Sequence, residues 1–97
     1  MILDYDPREG LRLSEHEDFK RLKLRVHARH PRRDIDGMSF VDDRHGKVLI
    51  RVLPELLGPL ATDAWRQRYS QMLVYAASRG WVNEGEESIR LHIETID

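Results

Sequence analysis

The sequence predicts an α+β fold of the ferredoxin-like, split-βαβ kind, with element order β-α-β-β-α-β. In it an antiparallel sheet carries two helices on one face. Three observations predict this class. Apolar residues between Thr62 and Gly80 recur at helical period, with a capping residue before them and a stop after. The run Lys47–Leu53 is rich in β-branched residues and apolar on both faces, as a central strand requires. The run Ser88–Glu94 alternates cleanly, with Ile89, Leu91 and Ile93 inward and Arg90, His92 and Glu94 outward, the pattern of a half-buried edge strand.

Taken in chain order, the first strand is Ile2–Tyr5 or Leu11–Leu13. Residues 14–30 carry two patterns. Leu22, Leu24, Val26 and Ala28 alternate with Lys23, Arg25, His27 and Arg29, which suits a strand with one basic face. Against this, Ser14 and Glu17 form a capping box, acids crowd the first turns, bases crowd the last turns, and Pro31 stops the run. Acid-first, base-last order matches a helix macrodipole, so the segment is assigned as the first helix. Its strand alternative leaves an antiparallel sheet carrying one long helix.

A hairpin follows. Met38–Val41 and Lys47–Leu53 flank Asp42-Asp43-Arg44-His45-Gly46, the residue types of a tight link, and Pro54 ends the second strand. Residues 54–61 are a connector. The second helix spans 63–79: Thr62 caps it, Asp63 suits its positive end, and Trp65, Tyr69, Met72, Leu73 and Ala76 form its apolar stripe. The right-handed crossover rule closes these elements into a sheet of strand order 4-1-3-2.

The chain has 97 residues, a length that suits one α+β domain over 1–97. It has no Cys, which excludes a disulfide framework, Cys-ligated metal and a Cys nucleophile. No apolar run approaches the roughly 20 residues of a membrane span, and the Asp-containing start does not read as a signal peptide, so the expected location is cytoplasmic. Sixteen Lys and Arg oppose seventeen Asp and Glu, for a net charge of −1. That balance hides a sandwich. Residues 1–19 hold six acids and two bases, residues 20–33 hold seven bases and no acid, and residues 34–97 hold eleven acids and seven bases.

Two surfaces are candidates for function. If Val48, Ile50 and Val52 face the helices, then Leu49 and Leu53 lie on the open sheet face beside Arg51, Arg90 and His92. Apolar side chains on an uncovered face point to a partner or to a sheet-on-sheet homodimer, unless Leu56, Leu57 and Leu60 of the connector cover them. The second surface is the basic block, Lys23, Arg25, Arg29, His30, Arg32 and Arg33, which could meet an acidic protein or nucleic-acid phosphates. It lacks aromatic residues for base stacking, and part of it is explained by the helix dipole.

Catalytic motifs are absent: no G-x-S-x-G, P-loop, G-x-G-x-x-G or H-E-x-x-H occurs. Asp42, Asp43 and His45 could bind a hard metal or perform acid–base chemistry, although the same residue types build a hairpin tip. His27 and His30, at i and i+3, lack an evident third ligand and read as surface residues. The expectation is a small non-enzymatic interaction protein (an adaptor, regulator or inhibitor) that self-associates through the open sheet face. Nucleic-acid binding through the basic block is the alternative, and an enzyme or metal protein using Asp42, Asp43 and His45 is a weaker one. No cofactor, small-molecule substrate or membrane is implied.

Overall fold

A computed structural model describes all residues 1–97. Its elements are β1 (Ile2–Asp6), β2 (Gly10–Ser14), β3 (Lys23–His27), β4 (Met38–Phe40), β5 (His45–Leu49), α1 (Val52–Leu57), α2 (Asp63–Ser78), β6 (Val82–Asn83) and β7 (Ser88–Ile96), with a 3-10 turn at Gly58–Leu60. All seven strands join one sheet of order β2-β1-β3-β7-β5-β4, with β6 added beside β7. The pairs β1–β3 and β3–β7 are parallel and the others antiparallel, so the sheet is mixed, and it curls into a half-barrel.

The ferredoxin-like α+β sandwich is therefore corrected, and the antiparallel fallback with it. The decisive segment is 14–30. Ser14 ends β2, Glu15 adopts a positive φ of 50°, and alternation rather than the macrodipole governs Lys23–His27. Leu24 and Val26 are buried on one side of β3, and its basic residues lie on the other. The acid-first, base-last order has a different cause here: the bases of β3 face Asp4 of β1 and Glu94 of β7 across the sheet.

A second correction concerns 47–53. The strand stops at Leu49, and Val52, Leu53 and Leu57 become the buried stripe of α1. Pro54 is the third residue of that helix, in the first turn, where the missing N–H has no intrahelical acceptor to lose. The C-terminal strand is longer than expected, and it is central rather than an edge, with β5 on one side and β6 and then β3 on the other. Both candidate first strands form, as a hairpin around Pro7-Arg8-Glu9.

Residues directly opposite one another share a face. Leu3, Leu24 and Ile93 lie in register across three parallel strands, and Ile89 and Val48 extend the row of buried side chains into β5. These pack with Leu53 and Leu57 of α1 and with Trp65, Tyr69 and Ala76 of α2 in a core cluster of 17 buried residues. Gly46 sits within this inner face: a Cβ there would meet Leu24 Cδ2 at 2.8 Å and the Ser39 carbonyl at 3.2 Å, so a side chain at this position would have to displace the buried Leu24 and press on the β4 backbone.

The expected second helix forms. Thr62 Oγ1 accepts from the Trp65 N–H at 3.1 Å, and the Trp81 N–H closes the far end on the Ala76 carbonyl at 3.0 Å. The Trp65 indole donates to the His16 carbonyl at 2.7 Å and lies against Phe19, which ties the 15–22 loop to the start of α2. No helix is long and apolar enough to cross a membrane.

Candidate functional site

The residues expected on an apolar open sheet face are divided. Arg90 and His92 do lie on the outward face, opposite Lys47 and His45, whereas Leu49, opposite the buried Ser88, is partly buried and packs against the core cluster. Arg51 lies outside the sheet at the start of α1, where its guanidinium meets Glu55 at 2.9 Å. Leu53 is fully buried in α1 and lies on no outer surface. Diverting residues 52 and 53 into a helix removes the apolar stripe, and the outward face is charged instead. Asp4, Arg25 and Glu94 stand in register across β1, β3 and β7.

The basic block is likewise divided. Glu94 accepts from Lys23 Nζ at 2.7 Å and from Arg25 Nε at 3.1 Å, and these two bonds hold its carboxyl below the usual carboxylate range. Two members of the block are thus committed to the protein's own acid. The remainder follows β3. Tyr5, buried in the core, accepts from the Arg33 N–H at 2.9 Å, which fixes the backbone of the 31–33 arm. Arg32 donates to the Asp43 carbonyl and to Thr95 Oγ1, and its guanidinium lies 5.8 Å from the Phe40 ring centre. Arg29 is exposed, and the His30 ring lies 5.2 Å from that of His27. The exposed basic corner therefore consists of Arg29, Arg32 and Arg33.

Asp42 and Asp43 lie in the β4–β5 link, and His45 opens β5. Asp42 organises the link: its Oδ1 accepts from the Arg44 N–H at 2.8 Å and lies 3.0 Å from His45 Nδ1. The Arg44 N–H is the larger reason that the Asp42 carboxyl is lowered, with His45 adding to it. Asp43 is exposed at the tip and does not join this contact. What joins it is His92, whose ring lies 5.2 Å from that of His45, edge to face. No group of three or more His, Cys, Asp or Glu side chains is arranged to hold a metal ion.

Two features escaped the sequence reading. One is the His45–His92 pair, which only the β5–β7 register brings together. The other is an apolar patch on the outer side of α2 and just beyond it. Val74 is 72% exposed and Tyr75 58% exposed. The Tyr75 and Trp81 rings meet edge to face at 6.1 Å, and the Arg79 guanidinium lies 5.6 Å from the Trp81 ring centre. A sequence signal for this patch existed: Val74 and Tyr75 fall outside the stripe that Trp65, Tyr69 and Ala76 define, so a helix seated on that stripe turns them to solvent.

No protein-family model matches the chain, and no curated protein and no solved structure matches it.

Proposed function

We propose that the protein acts by contact with a protein partner, and that the outer side of α2, continued by Trp81, is the contact surface. The exposed Val74–Tyr75–Trp81 cluster with Arg79 beside it carries this reading. Trp, Tyr and Arg are the residue types in which binding energy concentrates at interfaces, because large rigid side chains bury much area at a small entropy cost. The charge of the helix defines the partner further. Arg66, Arg68 and Arg79 lie on or directly after α2 against one acid, Asp63, and Arg68, Tyr75 and Arg79 recur at i, i+7 and i+11. An acidic protein surface with an apolar centre complements that stripe. The role remains that of a non-catalytic adaptor, regulator or inhibitor, with the contact placed on the helix rather than on the sheet.

The test is capture from an extract of the source cells with the wild-type protein and with Tyr75→Ser, in parallel with and without nuclease. The captured protein is then purified and its affinity measured against both forms. The proposal expects a nuclease-insensitive partner bound roughly tenfold or more weakly by Tyr75→Ser. Equal affinity for both forms overturns it. So does loss of capture on nuclease treatment, which would favour nucleic acid. A concentration-dependent dimer abolished by the same substitution would replace the partner with a second copy of the chain.

A further inference from the structure

β7 changes neighbour along its length. Ser88 and Ile89 pair with β6, whereas His92–Ile96 pair with β3. Where one neighbour gives way to the other a cleft of about 170 Å³ opens, lined by Leu22, His45, Trp81, Arg90, Leu91 and His92. At about 30 Å³ per water molecule this space suits a small ion or a single side-chain head group. It lies below the roughly 300–1,000 Å³ of pockets that enclose larger ligands.

The polar lining points one way. Arg90 has no carboxylate within ion-pair distance, unlike Lys23 and Lys47 on the adjoining strands. His45 faces Asp42, whose carboxylate can only accept, so the shared proton sits on Nδ1 and Nε2 is the free ring nitrogen. His92 stands beside it on the same face. Of the carboxylates around the cleft, Glu94 is engaged by Lys23 and Arg25, Glu86 by Lys47, and Asp42 by Arg44 and His45, while Glu84 lines the adjoining hollow beside Trp81 and Arg90. Asp43 and Arg44 lie at the exposed tip of the same link, and Arg79 lies over Trp81. The uncommitted polar groups at the cleft are therefore the Arg90 guanidinium, the His92 ring and Nε2 of His45.

We propose that this cleft is an oxyanion site that takes a phosphoryl or carboxylate group. A guanidinium offers two parallel N–H donors to such a group, and each imidazole adds a donor and a charge when protonated. The inference is independent of the contact surface on α2.

The probes are sulfate, a dianion, and acetate, titrated into the whole protein and followed by the NMR signals of Arg90, His45 and His92. Saturable shifts centred on these residues are expected. Arg90→Gln weakens binding by about tenfold or more, and His92→Gln weakens it by less. Sulfate bound more tightly than acetate assigns the site to phosphoryl groups, and the reverse order assigns it to carboxylates. Non-saturating shifts, or an unchanged response in Arg90→Gln, overturn the proposal. Arg90 and His92 are both exposed, and the unchanged amide signals of β1 and α1 report that each variant is folded.

Discussion

Leu53→Ala separates the fold described here from the one its sequence suggests. As a residue on the open face of a strand, Leu53 would lose little on truncation. In α1 it is fully buried within the core cluster, so truncation removes three carbon groups from a packed interior. At about 0.8 kcal/mol for each group, the transfer term alone is about 2.4 kcal/mol. Incomplete collapse of the surrounding side chains raises the total to about 3–4 kcal/mol. Helix propensity cannot account for such a loss, because Ala is a better helix former than Leu. The matched control is Leu56→Ala in the same helix, where the side chain is 39% exposed and the expected loss is below about 1 kcal/mol. Urea unfolding followed by far-ultraviolet circular dichroism measures both. With a slope of about 1–3 kcal/mol per molar urea, Leu53→Ala lowers the midpoint by at least about 1 M. Equal midpoints for the two variants would refute the burial of Leu53 and the helix that places it.

Further predictions rest on single contacts. Thr62→Ala removes the acceptor for the Trp65 N–H and costs about 1 kcal/mol in the same assay. Tyr69→Phe removes the hydroxyl that donates to the Ile50 carbonyl at 2.9 Å and costs about 1 kcal/mol near neutral pH. Burial raises the Tyr69 phenol above its ordinary value, so its contribution is full below about pH 10 and is lost as the pH rises towards the native value. Wild type therefore loses more stability than Tyr69→Phe on going to strongly alkaline pH, as paired unfolding curves would show. Glu94 behaves in the opposite sense. Its lowered carboxyl contributes stability above the ordinary carboxylate range, and that contribution is lost as the pH falls through the native value. Carboxyl-carbon NMR should show Glu94 titrating at lower pH in wild type than in Lys23→Met.

The elements legible in the sequence were those governed by local chemistry. Thr62, Gly80 and the stripe between them define α2 without reference to the rest of the chain. The alternation at 88–94 was legible on the same ground, and so was a hairpin link after β4, although β5 already begins at His45 within the expected link 42–46. Misreadings arose where distant partners decide. Lys23 and Arg25 fit a helix end until Glu94 and Asp4 are known to lie beside them. Val52 and Leu53 fit a strand until α1 is seen to need them for its buried stripe. At the candidate sites, Asp42 and His45 are close in sequence and were visible, whereas His45 and His92 meet only through strand register. Leu53 was assigned to the wrong surface for the same reason as the strand that contained it.

The position of β7 also shapes how the chain acquires its structure. It follows every other strand in sequence, yet it lies between β3 and β5 in the sheet. The bonds that join the two halves are correspondingly remote, as between Arg25 and Glu94, 69 residues apart. Closing so large a loop before any reward from pairing slows folding, which places this chain among the slower small domains. Until β7 docks, β3 and β5 each present an unsatisfied edge to solvent and to neighbouring chains. A truncation within β7 would therefore leave two separate sticky half-sheets, rather than a smaller version of the same fold.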